Sequence, residues 1–437
     1  MKKLFTLFTI LFITNAKAQT FYFPPASGTI WDTISPSSLG WCDDKIDTLL
    51  DYLETRNSKA FILLKDGKIV IEKYFGTFTQ DSIWYWASAG KSLTGFTVGI
   101  AQQEGYLNIN DTTSQYLGAG WTVCPTAKED MITIRHQLTM TTGLDDGVPD
   151  NHCFVDTCLQ YLADAGTRWA YHNAPYTLLD SVIYYSTGQS LNSYVFQKIG
   201  LPTGMSGLYV FANGDNVFYS KPRSMARFGL LALNHGNWNG NQIMTDTTYF
   251  NQMVNTSQSI NLSYGYLWWL NGKASYHLPT TQFQFSGSLN PNAPADMYAA
   301  MGKNGQFINV VPSQNLVFIR MGNAPTNDAV PFTMNDTIWQ KLNDVMCNNT
   351  SVTPLSFEKN EVKIYPNPAQ NTFAVEVAHE NFSLEISECL GRKVFTQKNI
   401  SSKIQIDSKD FPSGIYFINV TTDKRTSINK KIVVTQN

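Results

Sequence analysis

One segment restricts this chain more than any other. Trp84-Tyr85-Trp86 runs into Ser88-Ala89-Gly90-Lys91, and an apolar helical pattern of Leu93, Phe96 and Ile100 follows at once. Gly95 and Gly99, four apart, give that pattern a small-residue face, and Glu104-Gly105 ends it. The segment predicts a closely packed helix with a serine and a lysine at its mouth. Residues three apart share a helix face, so the Ser88 hydroxyl and the Lys91 amine come within hydrogen-bond reach. A hydroxyl is a poor nucleophile until a base takes its proton, and a desolvated amine can be that base. A free lysine titrates near ~10.4, so Lys91 needs burial or nearby cations to work at neutral pH.

The same two letters recur at Ser356-Phe357-Glu358-Lys359 and Ser427-Ile428-Asn429-Lys430. Those lie in a linker and in an alternating strand pattern, where no buried amine is expected. Downstream, Tyr171 offers a second proton-transfer group, and Asn173 an amide able to orient the base or a substrate carbonyl. His172 points away from both if the backbone is extended, and reads as a supporting or surface residue. Trp84, Trp86, Trp268 and Trp269 suit either an acyl pocket or an aromatic core. The chemistry implied is acyl transfer by a serine hydrolase. No serine occupies a G-x-S-x-G elbow. The six histidines are scattered singly, so the sequence offers no zinc ligand set, no metal site and no cofactor motif.

At 437 residues the chain exceeds one ordinary domain, and 43% hydrophobic content is ample for a packed core. A formal net charge of -2 gives no basic footprint, which argues against a nucleic-acid partner. Lys2-Lys3, the apolar run Leu4 to Ile13 and Ala16-Lys17-Ala18 predict a signal peptide over residues 1–18, hence a secreted or surface-attached protein. No later stretch approaches transmembrane length. Export permits disulfides among the six cysteines; Cys153 and Cys158 are close enough for a local loop, with unpaired buried thiols the alternative.

Helical spacing over Asp43 to Leu53 precedes two strands around Asp66-Gly67. A long helix-rich insertion runs to about residue 260, strands return from Tyr264 to Met321, and a helix covers Phe332 to Cys347. That order predicts an α+β domain over residues 19–347: one antiparallel sheet flanked by helices, plus a helical subdomain, with the active site in the cleft between them. Residues 348–360 read as a linker. Short alternating strands fill residues 361–437, at Thr372 to Val377, Phe382 to Ile386, Lys393 to Phe395, Ile404 to Ile406, Ile415 to Val420 and Lys431 to Val434, the pattern of a small β-sandwich.

Several collinear patches now carry a resemblance. Ile132 to Leu144, Trp169 to Leu179, Thr187 to Ser190, Leu201 to Met205, Ser224 to Gly229 and Tyr264 to Trp269 follow the two motifs in order. Together they resemble the serine beta-lactamase-like superfamily: class C beta-lactamases, DD-peptidases, related esterases and 6-aminohexanoate-dimer hydrolases. The resemblance implies catalysis by Ser88, Lys91 and Tyr171, with Asn173 orienting substrate. It also implies a disulfide from Cys42 to Cys347, because such folds pack their first and last helices together. The family's third motif, a Lys-Thr-Gly or variant, has its counterpart near Lys303-Asn304-Gly305, but the pattern puts Lys303 in a turn between two strands. Met301 and Gly302 are then the candidate backbone donors to an oxyanion, and Lys303 the candidate carboxylate anchor. Family members lacking a lysine in that motif tend toward esterase and amidase activity. The expected substrate is therefore a small-molecule or peptide ester or amide. A beta-lactamase or D-Ala-D-Ala carboxypeptidase is the alternative, and an inactive surface binding protein of the same fold is a second. The opening Tyr365-Pro366-Asn367-Pro368, Gly391-Arg392 and Gly414-Ile415-Tyr416 resemble the C-terminal sorting domain of type IX secretion substrates, which implies that machinery as a partner.

Overall fold

The computed structural model describes residues 21–212, 214–324, 329–347, 362–388, 392–422 and 427–435. The expected signal peptide over 1–18, the linker over 348–360 and Cys389 lie outside them. In chain order, the elements that build the larger domain begin with α1 (Ile46–Thr55), β1 (Ser58–Lys65), β2 (Lys68–Tyr74) and α2 (Gly90–Gln103). A hairpin of β3 (Gly207–Ala212) and β4 (Asp215–Ser220) follows, then α3 (Pro222–Leu233). The chain closes with β5 (Trp269–Leu270), β6 (Tyr298–Gly302), β7 (Gln306–Val311), β8 (Leu316–Gly322) and α4 (Phe332–Val345). Short helices between residues 114 and 203 form the helical subdomain.

Six strands make one antiparallel sheet in the order β2-β1-β8-β7-β6-β5, so chain ends far apart in sequence meet at its centre. Alternation assigns its two faces. Tyr298 pairs with Val310, which pairs with Val317; the Tyr298 hydroxyl donates to Ala232 O at 2.9 Å, putting α3 on that face. Asn309, the next residue along, exchanges hydrogen bonds of 2.9 and 3.0 Å with Asn335 and accepts from Trp339 Nε1 at 3.0 Å, putting α4 on the other. The α+β expectation holds, and the helical lobe stands beside the sheet.

The helix α2 forms where its apolar spacing predicts, and Gly105 ends it at φ 78°. Its small face serves close packing. A Cβ on Gly95 would meet Tyr266 O at 2.8 Å, and one on Gly99 would meet the Tyr249 ring at 2.3 Å. A hairpin absent from the sequence expectation, β3–β4, interrupts the helical insertion. Disulfides join Cys42 to Cys347 and Cys153 to Cys158, while Cys124 is free. The first ties the start of α1 to the end of α4, where Cys42 N also donates to Val345 O at 2.8 Å.

The C-terminal part is all-β, as expected, with its own apolar core around Phe373, Ile386, Ile418 and Ile432. Its strands are longer than the sequence suggests. Thr372 to Val377 and Phe382 to Ile386 belong to one bent strand, Thr372–Glu388, whose register breaks between Glu376 and Asn381. Lys393–Asp407 likewise merges two expected strands. Such breaks are β-bulges, where extra residues interrupt the pairing ladder within one sheet.

Candidate active site

Ser88 sits in a single 3-10 turn, Ala87–Ala89, that feeds directly into α2. Ala87 takes φ 47°, a left-handed conformation that costs an alanine ~1–2 kcal/mol. The turn thereby aims the serine at the start of the helix, where the positive end of the macrodipole favours developing negative charge. One turn on, Lys91 Nζ lies 3.3 Å from Ser88 Oγ. The lysine is only 3% exposed. Burial pushes its pKa down to about 8, against a smaller upward pull from the Asp215 carboxylate.

Tyr171 is buried and stacks on Trp269, with ring centroids 5.7 Å apart. Burial holds its hydroxyl well above the usual phenol range, and a hydrogen bond with the Ser88 side chain pulls the other way. Ser88, Lys91, Tyr171 and Asn173 all line one cavity of about 630 Å³. Of the three third-motif candidates, Lys303 lines it too, whereas Met301 and Gly302 do not. Gly302 abuts the nucleophile turn instead: a Cβ there would lie 2.6 Å from Trp86 O and 2.9 Å from Ser88 N.

Lys303–Gly305 forms the turn between β6 and β7. Arg320, wholly buried on β8, fastens that turn by donating to Asn304 O and Gly305 O, both at 2.8 Å. Its remaining donors reach Arg56 O and Asn323 O at 2.7 Å and Ser58 Oγ at 2.9 Å. Burial brings its pKa down to about 9. Asn304 Nδ2 also donates to the Tyr85 hydroxyl at 2.6 Å, joining the turn to the aromatic stretch before Ser88.

Two readings left open by the sequence are decided here. His172 is 2% exposed rather than on the surface; both ring nitrogens are buried without a partner, and burial drives its pKa to about 4, so it is neutral. The tryptophans do not line the cavity: Trp86, Trp268 and Trp269 are core, and Trp84 packs on Phe78 and Tyr85. Sequence reasoning missed Asn151, His152 and Asp215, which line the cavity from a loop and from β4. His152 Nδ1 lies 2.7 Å from Asp215 Oδ2. A signal for Asp215 exists in Asn213-Gly214, a hairpin dipeptide between alternating apolar residues.

Among the described residues, no cluster of His, Cys, Asp or Glu has the makings of a metal site, and no helix is long and apolar enough to cross a membrane. Residues 46–343 match the family described as Beta-lactamase, and residues 363–435 the secretion system C-terminal sorting domain. An uncharacterized protein of Alkalihalophilus pseudofirmus is 27% identical over 313 residues, 63% of this chain and 86% of that protein. A penicillin-binding protein homolog from Caulobacter crescentus superimposes with a TM-score of 0.52 at 12% identity, over 71% of this chain and 98% of that one. A family VIII carboxylesterase gives 0.51 at 15% identity, over 69% and 98%. At such identities the superpositions speak for the fold alone. The match over residues 46–343 spans well over half of the sequence, and on that ground the chain belongs to the beta-lactamase family.

Proposed function

We propose that the chain is a secreted serine hydrolase that cleaves an ester or amide through an acyl-enzyme on Ser88. The 3.3 Å approach of a buried amine to the Ser88 hydroxyl carries this reading. With its pKa near 8, Lys91 is partly neutral at neutral pH and takes the Ser88 proton as the hydroxyl attacks the carbonyl. Burial keeps the Tyr171 proton in place, which suits it to relay and donate a proton to the leaving group rather than to act as a phenolate base. The Ser88 N–H, with a backbone N–H from Met301 or Gly302, stabilises the oxyanion, typically by ~2.7–4 kcal/mol per donor. Water then frees the acyl group.

A second reading rests on Lys303. A cation in the cavity wall suits a substrate carboxylate, as in a beta-lactam or a D-Ala-D-Ala terminus. For export, the signal peptide directs the chain across the inner membrane, and residues 361–437 engage the type IX secretion machinery, consistent with the sorting-domain match.

Turnover of nitrophenyl esters, a chromogenic cephalosporin and D-Ala-D-Ala peptides separates these activities. Ser88→Ala abolishes turnover, and a serine-reactive phosphonate labels the peptide containing Ser88. A fully active alanine variant removes the proposal, and a protein that forms no adduct at all is a binding protein of this fold.

A further inference from the structure

A small three-stranded sheet packs on the start of α2. The short strand Trp84–Tyr85, which leads into Ser88, pairs with β4, and β4 pairs with β3. The two faces of this sheet meet different surroundings. One lies against the nucleophile helix: Tyr209 and Phe218 are buried there, and the Tyr209 hydroxyl donates to Gly90 O at 3.0 Å. The other carries Tyr85, Tyr219 and Leu208 in one cross-strand row, with Val217 opposite Val210 in the next.

Where an antiparallel sheet turns one face to water, that face is ordinarily polar. Here both rows are apolar or aromatic. Tyr85, Val217 and Tyr219 line the cavity that holds Ser88 and Lys91, and the two tyrosine rings stand 6.2 Å apart. Outside the cavity the rows end on Leu208, 53% exposed, and Val210, 39% exposed. The first row runs across two strand spacings, ~9.5 Å, from the residue three before the nucleophile.

The edge of β3 is not open to a further strand at the middle of this face. Asn192 covers it at Tyr209, accepting from the backbone N–H at 2.7 Å and donating to the carbonyl at 2.9 Å. What the face offers is side chains rather than backbone, and those side chains continue the wall of the catalytic cavity.

We infer that this face binds an apolar arm of the substrate, so that the enzyme prefers esters or amides bearing long alkyl chains to those bearing short ones. The inference rests on the hydrolase reading and names its substrate class. An arm laid along the Tyr85–Tyr219–Leu208 row leaves water while the scissile carbonyl stays at Ser88. Each methylene fully buried there strengthens binding by up to about fourfold. Leu208 and Val210 touch the arm and set specificity, away from the reacting atoms. An acyl chain and an alcohol chain share this chemistry, and the test separates them.

Two ester series serve: p-nitrophenyl alkanoates from acetate to decanoate, and acetates of alcohols from ethanol to decanol, each below its critical micelle concentration. In the wild-type protein kcat/KM is expected to rise at least about tenfold along one of the series, most of it through KM. In Leu208→Thr/Val210→Thr, which keeps strand-forming residues at exposed positions, that gain falls to within about twofold. A variant that slows short and long esters alike leaves the ratio standing, and that overturns the role given to the two residues. No gain along either series in the wild-type protein overturns the inference alone, whether or not the variant folds. A wild-type dimer in sedimentation that the variant breaks into monomers gives the face to a second copy and overturns it too. No turnover of any ester and no acyl adduct on Ser88 removes the hydrolase reading itself.

Discussion

The Lys91 nitrogen lies 4.0 Å from the centroid of the Tyr176 ring, so an aromatic face covers the amine that stands 3.3 Å from the Ser88 hydroxyl. A ring face attracts the charged amine and opposes the effect of burial, by about 0.5–2 kcal/mol. Tyr176→Leu is expected to move the Lys91 midpoint down by up to about 1.5 pH units, since 1.36 kcal/mol corresponds to one unit. Tyr176→Phe keeps the ring and leaves the midpoint unmoved. Acylation kinetics of the two variants across pH 6 to 10 check this, and an equal shift in both would sink it.

The rate itself follows the neutral fraction of Lys91. Below its pKa of about 8, kcat/KM is expected to climb about tenfold per pH unit, then level off above it. Asp215 pulls the Lys91 value upward, so Asp215→Asn brings the plateau to lower pH. A profile flat from pH 6 to 9 would rule out Lys91 as the base.

Stability carries the opposite mark of the same shift. The folded value of about 8 lies below the ordinary 10.5, so between those limits the unfolded chain binds more protons and stability rises with pH. Below about pH 8 the cost of the buried charge is present in full, roughly 3 kcal/mol at 1.36 per unit. Lys91→Met is therefore expected to stabilise the protein by up to about 3 kcal/mol at pH 7 while abolishing turnover, with the gain fading toward pH 10.5. Urea melts at pH 7 and pH 10 measure both ends of that window.

Gly302 tests the packing behind the nucleophile. Its φ of -135° suits any residue, so the objection to a side chain is space alone. Gly302→Ala puts a methyl 2.6 Å from Trp86 O and 2.9 Å from Ser88 N, both backbone atoms with little freedom to move. Overpacking of this kind costs about 1–3 kcal/mol. We expect that loss in thermal unfolding and at least a tenfold fall in Ser88 acylation. Wild-type kinetics in this variant would mean that strand β6 does not set the serine's position.

Reading the sequence reached Ser88 and Lys91 because helical periodicity converts three residues of separation into contact. The sheet was legible for a similar reason: Asp66-Gly67 marked its first hairpin, and alternation marked the strands from Tyr298 onward. Tyr171 and Asn173 were legible by their chemistry, but their meeting with Ser88 came from resemblance, since nothing local brings residue 171 to residue 88. Asn151, His152 and Asp215 left no local trace of their meeting, which only the folding of a loop against β4 creates. The C-terminal strands came out too short because alternation lapses where Thr372–Glu388 bends, and a lapse reads as a turn.

The Cys42–Cys347 bridge closes the larger domain on itself, joining residues 305 apart in sequence just before α1 and just after α4. A protease cutting between residues 348 and 361 therefore frees the sorting-domain segment without taking a strand from the six-stranded sheet or a residue from the helix that follows Ser88.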